Sequence, residues 1–101
     1  QVTRLLWAYT PPPSRDEVAT MLAMSARSLA RKLEREGTSF NGLLRKVQRE
    51  RACNFLRHTK LPVTTIAERL GYSEAAAFTR AFASWMGVTP SRFRVAERGK
   101  G

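Results

Sequence analysis

Apolar residues recur along this chain at spacings of three and four, in runs cut by proline and glycine, and that pattern predicts helices. Gln1 to Tyr9 reads as the end of a leading helix with Trp7 as its core anchor, and Pro11, Pro12 and Pro13 forbid its continuation. Ser14, Arg15, Asp16 and Glu17 have the form of a capping box. A helix is therefore expected from about Arg15 to Ala23, with Val18, Ala19 and Leu22 on its inner stripe. Ser25 then fits the N-cap of a helix from Ala26 to Glu36, which buries Leu29 and Leu33 and stops at Gly37. Phe40 to about His58 is longer. It turns Leu43, Leu44, Val47, Ala52, Phe55 and Leu56 inward and Arg45, Lys46, Arg49 and Arg57 outward, as a connecting strut would. After Leu61, Pro62 and Val63 the short-helix pattern returns through Ile66, Ala67 and Leu70. Glu74 to Met86 then follows, held in by Phe78, Phe82 and Trp85. Thr89, Pro90 and Ser91 open a last short helix carrying Phe93, and the end from Arg98 to Gly101 is expected to fray. The fold class is all-α, with about seven helices.

Two of these segments say the same thing. Val18, Ala19, Leu22 and Ser25 recur as Ile66, Ala67, Leu70 and Ser73, an offset of 48 positions each time. One residue is then gained, because Leu29, Arg31 and Leu33 recur as Phe78, Arg80 and Phe82 at an offset of 49. A repeat of short helix, tight turn and second helix describes two helix-turn-helix units joined by a strut. Their approximate bounds are 14–37 and 62–87, with the strut at 40–58, all inside one domain of 101 residues.

Composition adds a partner to this picture. Eighteen Lys and Arg against eight Asp and Glu leave a formal charge of +10, which favours a polyanion: nucleic acid first, an anionic membrane surface second. Charge alone would fit a solvated basic surface equally well. Geometry separates the readings, because an α-helix fits the DNA major groove and a helix-turn-helix unit presents the N-terminal residues of its second helix there. At 100° per residue, Arg27 and Arg31 lie about 160° and 200° around the helix from Leu29, on the face opposite the core. The second copy has an equivalent outward face at Arg80.

The residues resemble the AraC/XylS type of bacterial transcription regulator. The likeness covers about Ser14 to Arg94 and is carried by "VATMLAMSARSLARKLEREGTSF" and "TTIAERLGYSEAAAFTRAFASWMGVTPSRFR", the latter similar to the family's signature segment. The resemblance implies a seven-helix domain whose two recognition helices enter successive major grooves on one face of double-stranded operator DNA, roughly one helical turn apart. It implies base-facing positions at Arg27, Ala30 and Arg31 in the first helix and at Ala76, Ala77 and Arg80 in the second. Gln48 departs from the arginine that the family often carries on its strut. In the family this domain usually lies C-terminal to an effector-binding or dimerising domain. The start at Gln1 instead of Met fits a piece of something longer, any small-molecule effector acting through a part not seen here. RNA polymerase is a further candidate partner.

The two copies differ in chemistry. From Ser25 to Gly37, Arg27, Arg31, Lys32 and Arg35 outnumber Glu34 and Glu36, whereas from Ser73 to Gly87 Arg80 is balanced by Glu74. Arginine bonds guanine O6 and N7 in a bidentate pair, while alanine offers only apolar contact, as to a thymine methyl. The first copy is expected to read sequence and the second, with Ala75, Ala76 and Ala77, mostly to dock. The candidates for phosphate contact are Ser25, Ser28, Arg35, Thr38 and Ser39 in the first copy, and Thr64, Ser73, Thr79 and Ser84 in the second.

Other chemistry is weakly signalled. His58 is the only histidine and has no partner at ligand spacing, so neither a metal nor a cofactor is expected. Cys53 is the only cysteine; it reads as a small filler of the strut and excludes an internal disulfide, which fits a reducing, cytoplasmic, nucleoid-associated setting. No triad, paired-carboxylate site or glycine-rich phosphate loop suggests an enzyme. No apolar run reaches the length of a membrane span, and "LLWA" at Leu5 to Ala8 is too short for a signal core. The competing class is a basic helical module that binds RNA or anionic surfaces without regard to sequence.

Overall fold

The computed structural model describes residues 1–99, and these hold seven α-helices. They are α1 (Val2–Ala8), α2 (Arg15–Met21), α3 (Ala26–Arg35), α4 (Phe40–His58), α5 (Val63–Arg69), α6 (Ala75–Met86) and α7 (Pro90–Gly99). The chain divides into two compact units, Gln1–Val47 and a second from Gln48 onward, so the division falls inside α4.

The first unit closes over Val2, Leu6, Val18, Ala19, Leu29, Leu33, Phe40 and Val47. Leu6 is its anchor in α1, fully buried, while Trp7 is 36% exposed and is not the core residue expected. Val2 and Leu6 stand four apart and set the inward stripe of this two-turn helix, which turns Trp7 about 100° away from it. At the start of α2 the capping box is complete: Glu17 N–H donates to Ser14 Oγ at 3.1 Å and Ser14 N–H to Glu17 Oε1 at 2.8 Å. The bond from the Ser14 amide, reinforced by the Ser14 side chain, holds the Glu17 carboxyl below the usual carboxylate range.

The second unit is built on aromatic rings and small fillers. Tyr72, Phe78, Phe82 and Phe93 form a tilted chain with ring centroids 5.5, 5.9 and 5.5 Å apart, and Ala52, Cys53, Leu56, Ile66, Ala67 and Leu70 pack around them. Helix α7 is fastened to the C-terminal end of α4 and the residue that follows it by four contacts. Arg57 Nε meets Glu97 Oε1 at 2.6 Å, and the Arg57 guanidinium lies 5.3 Å from the centre of the Phe93 ring. Arg94 donates to the carbonyls of Leu56 and Thr59, both at 3.3 Å, which satisfies acceptors that the helix end leaves open. Arg98 and Gly99 are accordingly helical where fraying was expected, and Lys100 and Gly101 lie outside the described residues.

Both helix-turn-helix corners are Schellman turns. In the first, Met24 N–H bonds the Ala19 carbonyl and Ala23 N–H that of Thr20; in the second, Tyr72 bonds Ala67 and Gly71 bonds Glu68. The residue at the left-handed position is Ala23 (φ 56°) in one corner and Gly71 (φ 94°) in the other. This is why α2 ends at Met21 and not at the Ala23 expected from the pattern. A Cβ in the left-handed region costs about 1–2 kcal/mol, and glycine recovers part of that against its greater freedom in the unfolded chain. Ala23→Gly should therefore stabilise the domain by about 0.5–1 kcal/mol, and Gly71→Ala should destabilise it by a similar amount. Urea unfolding midpoints that move in these opposite directions at unchanged slope are the expected observation.

Candidate nucleic-acid interface

Helix α3 is held by one edge. Leu29 and Leu33 are buried, and Arg27, Ser28, Ala30, Arg31, Glu34 and Arg35 are all exposed. Ser25 caps it by accepting the Ser28 amide at 3.0 Å, and the Ser25 and Ser28 hydroxyls bond each other, also at 3.0 Å. Only one proton of that hydroxyl pair remains free to reach a phosphate. At the far end Gly37 takes φ 79°, as the glycine stop requires, and Thr38 bends back through its amide to the Leu33 carbonyl. Ser39 Oγ accepts the Gly42 amide at 3.0 Å, so this exposed hydroxyl helps to start α4 and keeps its own proton. Thr38 is half-buried.

Helix α6 is the same design with one register change. Phe78 and Phe82 are fully buried and orient the helix. Ala76 and Arg80 lie two residues either side of Phe78 and are exposed, whereas Ala77 and Thr79, about 100° to each side, are half-buried. Ser84 and Thr64 are exposed. The repeat aligns Ser73 with Ser25, and the sequence pattern expects this helix from Glu74 to Met86. In the structure the N-cap is Glu74, which makes no side-chain capping bond, and Ser73 stays outside as an exposed residue. The extra residue between turn and core aromatic pushes the helix start one position along.

Each corner is fixed independently of the outward face. In the second unit Gln48 is buried, and its Nε2 donates to the Leu70 carbonyl at 2.6 Å, which ties α4 to the C-cap of α5 just before the turn. The sequence marked Gln48 only as a departure from an arginine. Its position next to Val47 on the inward edge of α4 was the available signal. Arg51 is buried too, and burial lowers its pKa. Burial pushes the Cys53 thiol up, against the opposing pull of Arg57 and Arg49, in keeping with a filler of the core. With Arg51, Arg57 and Arg94 engaged in the fold, the exposed cations of the two second helices carry the electrostatics of the outward faces.

These two outward helices, each set on a matched corner, are a double helix-turn-helix. A helix-turn-helix domain profile matches residues 18–96 of the chain. The chain belongs to the AraC-type helix-turn-helix family. As an AraC-type domain it binds DNA sequence-specifically in transcription regulation. The HTH-type transcriptional regulator Rv1395 of Mycobacterium tuberculosis is 42% identical over 81 residues, 80% of this chain and 24% of that protein. The chain thus spans about a quarter of the length of that curated relative. The solved C-terminal domain of AraT, a response regulator from Geobacillus stearothermophilus, is 34% identical with a TM-score of 0.85, over 94% of this chain and 81% of that one. The DNA-binding domain of AdpA, solved in complex with a target DNA, shares the fold at a TM-score of 0.85 and 20% identity, over 98% of this chain and 91% of that one. Among the described residues no helix is long and apolar enough to cross a membrane.

Proposed function

We propose that α3 and α6 are the two recognition helices and that they enter successive major grooves on one face of an operator duplex. Arg27, Ala30 and Arg31 face bases in one block, and Ala76, Ala77 and Arg80 in the other. The observation that carries this reading is α3 itself: two arginines at the N-terminal half of a helix whose opposite edge, Leu29 and Leu33, is locked into the core. Ser28, Arg35, Thr38 and Ser39, with Ser25 partly committed to its cap, take phosphates around the first helix. Thr64, Ser73, Thr79 and Ser84 do so around the second. The reading takes 14–37 and 62–87 as the two DNA-facing units and 40–58 as the strut that spaces them.

The experiment is a full base-substitution scan of the operator with wild type, Arg31→Ala and Arg80→Ala at one salt concentration. A lost bidentate arginine-guanine contact costs about 1–3 kcal/mol and flattens preference at that base pair, while a lost phosphate contact weakens all sequences alike. Arg31→Ala should flatten preference in one block. Arg80→Ala should lose affinity partly in common with random DNA. Stronger discrimination in the block under α6 than in the block under α3 would reverse this division of labour.

In the whole protein, this domain would serve as the non-enzymatic DNA-reading module of a cytoplasmic, nucleoid-associated regulator. A small-molecule effector would act through another domain, and RNA polymerase is the proposed further partner. The family match and the regulators it contains support this reading over a sequence-blind basic module.

A further inference from the structure

The register change between the turn and the core aromatic of the second unit puts an acid where the first unit has a hydroxyl. In α3 the N-cap is Ser25; in α6 it is Glu74, one position beyond the serine that the repeat aligns with it. Ser25 to Leu29 is four steps and Ser73 to Phe78 is five, so counted from the core residue it is Glu74 that stands in the place of Ser25. The Ser25 hydroxyl is bonded to the Ser28 amide and hydroxyl. The Glu74 side chain is exposed, makes no capping bond, and enters no hydrogen bond or ion pair among the described residues. The fold does not use this carboxylate.

Its surroundings on DNA are narrowly defined. At the first residue of a recognition helix the neighbours are phosphates and base edges. A phosphate repels a carboxylate. Guanine O6 and N7 and thymine O4 are acceptors and repel it too, which leaves the amino groups, above all cytosine N4. Ala75, Ala76 and Ala77 follow directly, and their methyl groups neither compete for that donor nor hold the helix away from the groove floor. Arg80, a turn and a half further on, is the only other charged side chain in this half of the helix.

We infer that Glu74 is a specificity-determining residue of the second unit, its carboxylate accepting a hydrogen bond from the N4 amino group of a cytosine. This inference rests on the proposed role of α6 as a recognition helix. It gives the alanine-rich copy a reading element of its own, in which the acid selects cytosine by attraction and disfavours guanine and thymine at the same place by repulsion.

The test is the base-substitution scan repeated with Glu74→Ala and Glu74→Gln, together with a thermal melt of each variant. Wild type should prefer cytosine at one position of the block under α6 by roughly 5-fold or more. Glu74→Ala should lose that preference. Glu74→Gln should shift it towards adenine, whose N6 and N7 suit an amide. The block under α3 should be unchanged in both. The same base profile in all three proteins would overturn the inference and leave the DNA-reading function standing. So would an affinity loss shared by all duplexes with a lowered melting temperature, which would assign Glu74 to helix stability. A wild type without any sequence preference would overturn the DNA-reading function itself, and the inference with it.

Discussion

Raising the salt from about 50 to about 200 mM should weaken the binding of this domain to its operator about 1000-fold. Not all eighteen Lys and Arg side chains are available, because Arg57 is paired with Glu97, Arg94 caps α4 and Arg51 is buried. What remains exposed on and around α3 and α6 is enough for roughly 6 phosphate contacts. With about 0.9 counterions released per contact, log K should fall against log salt with a slope near −5. A measured slope flatter than about −2 would mean that only one or two phosphates are engaged, and would contradict binding by two units.

Inserting 5 bp between the two contacted blocks of the operator should collapse specific affinity. The blocks are expected about 10 bp apart, and half a helical turn carries one of them to the opposite face of the duplex. Helix α4 runs without a break for 19 residues, from Phe40 to His58, and contributes Phe40 and Val47 to the core of the first unit and Ala52, Cys53 and Leu56 to that of the second. An insertion of a full turn should restore the phase but not the distance, so any recovery should be partial. Losing one whole base-reading block amounts to several contacts of about 1–3 kcal/mol each, a drop towards the affinity for random DNA. Unchanged affinity with the 5 bp insert would show that a single unit suffices.

Local signals written in the sequence carried much of this architecture. The Ser14 and Glu17 capping box, the Ser25 cap, and the glycines at 37 and 87 in left-handed conformation act within a few residues, so their chemistry can be read without tertiary context. The outward direction of Arg27, Arg31 and Arg80 was equally legible, since Leu29 and Phe78 fix the helical phase. The misses have physical causes. Trp7 drew attention by size, yet in α1 the pair Val2 and Leu6 decides which face is buried. Ala23 has no glycine signature, and only the matching corner at Gly71 hints that it takes a positive φ. The helix expected from Glu74 to Met86 begins at Ala75 with Glu74 as its N-cap, because Phe78 sets the phase one residue further from Ser73 than Leu29 stands from Ser25. Gln48 stood out only as a departure from the arginine often found on the strut, and its bond to the Leu70 carbonyl joins residues 22 positions apart, beyond the reach of local pattern. Helical phase gives an outward face without saying what lies against it, so the proposed base-facing positions rest on the family resemblance.

Reading of a duplex sequence through two helices sets this domain apart from a sequence-blind basic module. It is tested most directly by selecting bound sites from a pool of random double-stranded DNA at one fixed salt concentration. A single motif should be enriched, with two blocks of preferred bases whose centres lie about 10 bp apart and the sharper preferences in the block assigned to Arg27 and Arg31. A pool recovered with no enriched motif, or with RNA and anionic vesicles competing as well as the selected duplex, would contradict it.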